Sequence, residues 1–215
     1  MPTTDSSLWQ YKDPTLQTWP DSGHVVVFDL EYTAWEGSRE RSWSEDWEYR
    51  EIVQIGAVLV DTAAGFEQID SFNRFIKPIR NPLLSNYFIT LTGIDQTTVD
   101  NEGTLFAEAY PEFVQFVGDV EVLFANGTDG EVLRENCKLN NMGYVFERGR
   151  IINIRSKIAS EVSERVGQKY DFIDSGDLID VLGCSTSTDD SGHNALADAK
   201  KIAFALRELR RHSAI

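Results

Sequence analysis

Cysteine is nearly missing from this chain: two residues in 215, Cys137 and Cys184. Two cysteines cannot build the disulfide framework of a small secreted domain, and they fit a reducing, cytoplasmic setting. Long apolar runs are missing too. None approaches the roughly 20 residues that cross a bilayer, so no membrane partner is expected. The opening MPTTDSSLWQ has no basic-then-apolar leader, and no export signal is expected. Basic residues are the minority charge, with 20 Lys and Arg against 35 Asp and Glu, a net charge of −15. A field of that sign repels polyanions, which argues against a protein that coats a duplex through many phosphate contacts. It leaves room for an enzyme that grips a few nucleotides through metal ions. The length and the 41% hydrophobic content suffice for one sizeable core, and one domain is expected.

Residues 1–22 are polar and carry Pro14 and Pro20, and read as a tail lying over a domain of residues 23–212. VVVFDLEYT at 25–33 is apolar on both alternating faces through Leu30, as in a strand buried centrally in a sheet. IVQIGAVLV at 52–60 predicts a second strand, and 66–78 a third, hairpinned to it through DTAAG. Beyond Pro82 the pattern shifts to short helices and loops. A helix is predicted over 105–117, with Pro111 kinking it or marking its true start. A short strand at 121–125 precedes a helix at 129–143 closed by Gly143, and a strand at 151–154 follows. Further helices are predicted near 156–166, 175–182 and 194–211. The order predicts a mixed-sheet α/β domain.

Three local features carry possible chemistry. Asp29 and Glu31 sit two apart at the end of the buried strand, so strand periodicity puts both on one face at its carboxyl edge. Two carboxylates that close repel each other and lose solvation, and a divalent cation such as Mg²⁺ or Mn²⁺ is the usual compensation. Alone, the pair reads as well as an exposed acidic strand end. In HNALADA at 193–199, Asp198 borders the apolar face Ala199, Ile202, Ala203, Leu206 and Leu209 of the last helix. His193 lies five residues earlier in a Gly-preceded loop, where it can reach the same cleft or serve as a plain surface histidine. Asp129 follows the strand EVLFA, and its simplest reading is an N-cap for the next helix.

Taken together, Asp29, Glu31, Asp129, His193 and Asp198 resemble the acid set of the DEDDh 3′→5′ exonucleases. The resemblance runs from about residue 24 to 210. NPLLSNYFITLTGIDQTTVD at 81–100 and EIVQIGAVLVD at 51–61 resemble the branch that holds histone-mRNA 3′ exonucleases and bacterial sporulation-inhibitor-like exonucleases. One departure is Thr128, where the family usually has an aromatic residue before the third acid, and Glu131 is a fallback for Asp129. The resemblance implies an RNase H-like mixed sheet, three antiparallel strands then two parallel, flanked by helices. It implies two Mg²⁺ or Mn²⁺ ions on Asp29, Glu31, Asp129 and Asp198, with Asp29 shared between them. His193 would be the general base, a role for which imidazole suits neutral pH. Nucleoside 5′-monophosphates would leave one at a time from a single-stranded RNA or DNA 3′ end, RNA being favoured. A DNA-directed or dinucleotide-trimming enzyme of the same superfamily is the alternative, and an inert nuclease-like binding module is the rival from another class. Two divalent ions would return four charges and leave the protein acidic.

By the same resemblance Tyr32, Thr33, Leu91 and Thr92 lie against the terminal nucleotide. The segment 33–51 interleaves Trp35, Trp43, Trp47 and Tyr49 with Arg39, Arg41 and Arg50. It reads either as a base-stacking single-strand grip or as aromatics closing over a long loop. Arg148, Arg150, Arg155 and Lys157 form a basic group that can guide a strand. Lys200, Lys201, Arg207, Arg210 and Arg211 read as a solvated helix face. No accessory RNA-binding domain is expected in the 22 residues before the fold.

Overall fold

The computed structural model describes residues 16–184 and 193–213. Most of the predicted tail, and residues 189–192 ahead of His193, lie outside the described residues. The centre of the fold is β1 (His24–Tyr32), buried from Val25 to Phe28 and again at Leu30. It pairs antiparallel with β2 (Ile52–Asp61), which pairs antiparallel with β3 (Glu67–Phe75). On its other side β1 runs parallel to β4 (Val122–Ala125), and β4 parallel to β5 (Ile151–Asn153). The order is β3-β2-β1-β4-β5, the predicted three antiparallel strands followed by two parallel ones.

A parallel neighbour requires a crossover, and helices supply it. Between β3 and β4 lie α1 (Asn86–Thr92), α2 (Gln96–Glu102) and α3 (Phe106–Val117). Between β4 and β5 lies α4 (Asp129–Leu139). After β5 come α5 (Arg155–Val166), a 3₁₀ turn at Ser175–Asp177, α6 (Leu178–Val181) and α7 (Ala195–Ser213). Alternation along β1 sorts these helices into two layers. Val26, Phe28 and Leu30 face α3 and α4, while Val25 and Val27 face α5, α6 and α7. Asp29 and Glu31 continue the odd-numbered row, so they point to the layer that contains α7. Among the described residues no helix is long and apolar enough to cross a membrane.

Two predicted helix details differ. Pro111 does not start α3. The helix begins at Phe106, where the Glu108 carboxylate accepts the Leu105 N–H at 3.2 Å, and continues through the proline. A proline inside a helix costs about 3 kcal/mol. Burying Phe106, Tyr110, Phe113 and Val117 outweighs that, at about 1.5–3 kcal/mol for each large apolar side chain. The helix predicted over 129–143 ends at Leu139, and the left-handed residue beyond it is Asn141 (φ 54°), not Gly143. Asparagine tolerates that conformation, so a glycine was not needed to stop the helix.

The described end of the amino-terminal segment does lie over the domain. The Trp19 indole N–H donates to Glu161 at 2.6 Å, and its ring meets Phe66 and Phe124 edge-on. Lys157 Nζ sits 4.8 Å above the same ring.

Candidate active site

The carboxyl end of β1 is where the acids gather. The β1–β4 ladder stops at Val27 and Phe124; beyond it the strands part, and the Leu30 N–H on that side has no strand partner. Asp129, the first residue of α4, fills the gap: its Oδ1 accepts the Leu30 N–H at 3.3 Å. Asp129 is therefore not the helix cap. Thr128 occupies that position, and the Asp129 carboxylate is turned onto β1. A Cβ at Gly127 would lie 3.1 Å from Asp129 Oδ2, so a larger residue there would crowd this carboxylate by a few tenths of an ångström. Glu131, the fallback, is exposed.

Asp198 arrives from the other layer. Asn194 caps α7 by accepting the Ala197 N–H at 3.1 Å, and Gln54, buried on β2, accepts the Ala195 N–H at 2.9 Å. The first turn of α7 presses onto Gly56, where a Cβ would fall 2.0 Å from the Leu196 nitrogen and 2.2 Å from the Ala195 carbonyl carbon. No side chain fits there. This contact sets Asp198 beside Glu31 and leaves His193 at the rim, its Nδ1 3.9 Å from Asp198 Oδ2 and its side chain 45% exposed. Glu31, His193 and Asp198 each offer a ligand atom within 4.8 Å of the others.

The electrostatics follow from burial and crowding. Desolvation, then the neighbouring Asp129, Glu31 and Asp198 charges, hold Asp29 well above the usual carboxylate range. Desolvation, then Asp198 and Asp129, does the same to Glu31. Burial lifts Asp129 to about 6 against hydrogen bonds and the Arg155 and Arg50 charges. Asp198 is raised by burial, and Lys201 opposes the shift. Asp29 and Glu31 accept no hydrogen bond from any described residue. Four converging acids with so few donors suit a hard divalent cation, which takes oxygen ligands. The donor set therefore fits the metal that the sequence implies.

The remaining predicted residues divide. Tyr32 is half-buried against Trp43, with ring centroids 5.4 Å apart, and burial pushes its hydroxyl up to about 12. Leu91 is half-exposed, and its carbonyl faces the His193 N–H at 3.4 Å. Thr33 and Thr92 are buried, and their hydroxyls are committed to the backbone. Thr33 donates to Tyr49 O at 2.5 Å and accepts from Glu51 N, while Thr92 donates to Phe88 O and accepts from Ile94 N. The structure brings neither hydroxyl to the cleft.

The loop 33–51 is tied both to itself and to the helices beside it. Arg41 pairs with Glu48, Arg50 with Glu135, the Trp43 indole donates to Thr33 O, and Trp35 meets Trp47 edge-on at 4.7 Å. Within the predicted basic group, Arg150 binds the Gly118 and Val120 carbonyls, away from the acids, and Lys157 lies on Trp19. Arg155, by contrast, donates to Asn126 O at the end of β4. Lys201 is a correction: it is not on a solvated face but lies 3.0 Å from Asp198 Oδ1 with its side chain 14% exposed. One helical turn from Asp198, it shares the face that meets the cluster, and that i, i+3 spacing was its one signal in the sequence.

Two acids on the central strand, a third at the start of α4 and a fourth on α7 make the arrangement that the resemblance to DEDDh 3′→5′ exonucleases implies. The nuclease domain of 3′hExo, a DEDDh family member bound to rAMP, has the same fold: TM-score 0.71, 22% identity, 89% of this chain and 93% of that one. The Exonuclease model of RNase T type matches residues 26–206, and the chain belongs to that family. ERI1 exoribonuclease 2 of Homo sapiens is 33% identical over 110 residues, 48% of this chain and 14% of that protein. The 3′-5′ exoribonuclease 1 of Homo sapiens is 28% identical over 201 residues, 87% of this chain and 52% of that protein. The chain thus spans about half the length of the latter, and less of the former.

Proposed function

We propose that this chain is a metal-dependent 3′→5′ exonuclease that releases nucleoside 5′-monophosphates from single-stranded nucleic acid, RNA favoured. The observation that carries this reading is the convergence of Asp29, Glu31, Asp129 and Asp198, from β1, α4 and α7, with His193 at their rim. The four carboxylates would hold two Mg²⁺ or Mn²⁺ ions. Such ions stabilise the attacking and leaving oxygens of an in-line displacement at phosphorus.

The chain's own residues supply the rest. With His193 Nδ1 turned to Asp198, Nε2 accepts the proton of the attacking water. The water oxygen forms the new bond to phosphorus, and the bond to the 3′ oxygen of the preceding nucleotide breaks. The departing 3′ oxygen takes a proton from solvent, so the shortened strand ends in a 3′-hydroxyl. The Asp198 carboxylate faces the imidazole across 3.9 Å and orients it. Leu91, exposed beside His193, offers an apolar edge to the terminal nucleotide, and Tyr32 an aromatic one. The RNA preference is supported by two of the relatives, ERI1 exoribonuclease 2 and 3′-5′ exoribonuclease 1. Free thiols at Cys137 and Cys184 support a reducing, cytoplasmic setting.

A 5′-labelled single-stranded oligonucleotide tests the reading. It is expected to shorten stepwise in Mn²⁺, and not with EDTA or with Asp29→Ala. RNA and DNA run in parallel, with 3′-hydroxyl and 3′-phosphate ends, set the substrate class. Intact RNA and DNA under all these conditions would sink the enzyme reading.

A further inference from the structure

Beside the acids, two guanidinium groups from distant parts of the chain converge on one oxygen atom. Arg39, from the loop after β1, and Arg155, at the start of α5, place their Nη2 atoms 3.3 Å and 3.1 Å from Asp174 Oδ1. The bridge is open to solvent, with side-chain exposures of 59% for Arg39 and 32% for both Asp174 and Arg155. Arg155 also lies 5.3 Å over the ring of Phe172, a large apolar side chain left 52% exposed. Segment 172–176 then runs back into the site. The Asn126 side chain donates to Ile173 O and Ser175 Oγ, and a Cβ at Gly176 would lie 4.0 Å from Asp198 Oδ1. The Arg155 charge acts on both Asp29 and Asp129. A structural ion pair needs one arginine and no exposed aromatic. Two guanidiniums aimed at one oxyanion, next to an open ring, is the chemistry that recognises a nucleotide.

We propose that Arg39, Arg155 and Phe172 form a subsite for the substrate strand beside the acidic cluster. The two guanidiniums take a backbone phosphate other than the scissile one, and Phe172 stacks a base. Asp174 holds the phosphate's place and gives it up when the strand arrives. This rests on the exonuclease reading and deepens it. It also explains how a protein of this charge holds a polyanion: the positive groups are few, local and already oriented. Beyond Asp174 the Arg39 side chain has no described hydrogen-bond partner, and the Ser42 N–H bond to the Arg39 carbonyl survives its truncation, so Arg39→Ala leaves the fold intact.

KM and kcat on a 5′-labelled single-stranded oligonucleotide test the subsite with wild-type protein and the variants Arg39→Ala, Phe172→Ala and Asp174→Asn. Arg39→Ala and Phe172→Ala are expected to raise KM about fivefold or more with kcat within about twofold. Asp174→Asn, which removes the negative charge facing both guanidiniums, is expected to lower KM and to steepen its salt dependence by about one charge. Unchanged KM in Arg39→Ala, or a raised KM in Asp174→Asn, overturns the subsite while the exonuclease reading stands. A wild-type protein that shortens no oligonucleotide overturns the exonuclease reading, and this proposal with it.

Discussion

Lys201 Nζ lies 3.0 Å from Asp198 Oδ1, one helical turn along α7, and it is the one lysine in contact with the acidic cluster among the described residues. The pair is nearly buried, and losing the cation would leave Asp198 facing three other carboxylates. Lys201→Met is expected to destabilise the metal-free protein by about 1–3 kcal/mol at neutral pH. The loss should shrink at about pH 5, where a proton replaces the lysine. Added Mg²⁺ should raise the Tm of the variant more than that of the wild type, since a repelling charge is gone. Equal Tm for variant and wild type in EDTA at neutral pH would remove Lys201 from the site's electrostatics.

Burial and mutual repulsion raise the pKa of Asp29, Glu31 and Asp198, and take Asp129 from 3.8 to about 6. A raised folded-state pKa means that the folded protein keeps protons the unfolded chain gives up. The associated stability is present below the unfolded pKa and lost as pH rises through the folded one. In EDTA the Tm is therefore expected to fall between about pH 5 and about pH 7.5. A divalent ion at a hundred times its Kd should restore about 2.7 kcal/mol at the higher pH and less at the lower, where protons compete. A Tm in EDTA that holds level or climbs across that interval contradicts the crowded-carboxylate account.

His193 is half-exposed and outside the α7 hydrogen-bond ladder, so its removal should spare the fold. His193→Ala is expected to lower kcat about 10²- to 10⁴-fold while calorimetry finds Mn²⁺ affinity within about twofold of wild type. Parallel loss of affinity and turnover would make His193 a ligand in place of a base. The 4.8 Å grouping of Glu31, His193 and Asp198 makes that comparison decisive.

Gly56 is where α7 touches the sheet most closely. Gly56→Ala would put a methyl carbon 2.0–2.4 Å from backbone atoms of Ala195 and Leu196. Backbone cannot rotate away as a side chain can. A loss of about 3 kcal/mol or more is expected in thermal or urea unfolding, with activity falling as Asp198 is displaced. Wild-type stability in this variant would mean that α7 can shift without cost.

What was legible in the sequence was periodic. Asp29 and Glu31 were placed by the period-two alternation of β1, and Asp198 by the apolar stripe of α7, because each pattern fixes a face without reference to the rest of the chain. Asp129 was not resolved that way: cap and ligand are the same residue type at the same helix start. Only the end of the β1–β4 ladder, which leaves the Leu30 N–H open, decides between them. Thr33 and Thr92 are cleft residues by resemblance alone, and nothing local in the sequence reveals that their hydroxyls are committed to the backbone. Lys201 and Arg155 were read with their basic neighbours, and their partners, Asp198 apart, are set by the fold. The loop 33–51 stayed open for the same reason. Its arginines and tryptophans find one another, Glu48 and Glu135 through contacts that composition does not encode.

The seating of α7 on Gly56 and Gln54 has a consequence for biosynthesis. Asp29 leaves the ribosome early, with the first strand, whereas Asp198 sits on the last helix. Until that helix has emerged and docked, β1 carries an unopposed acidic edge and no complete ion cage. On the exonuclease reading, a nascent copy of this chain tethered to the messenger that encodes it still lacks the fourth acid of the set.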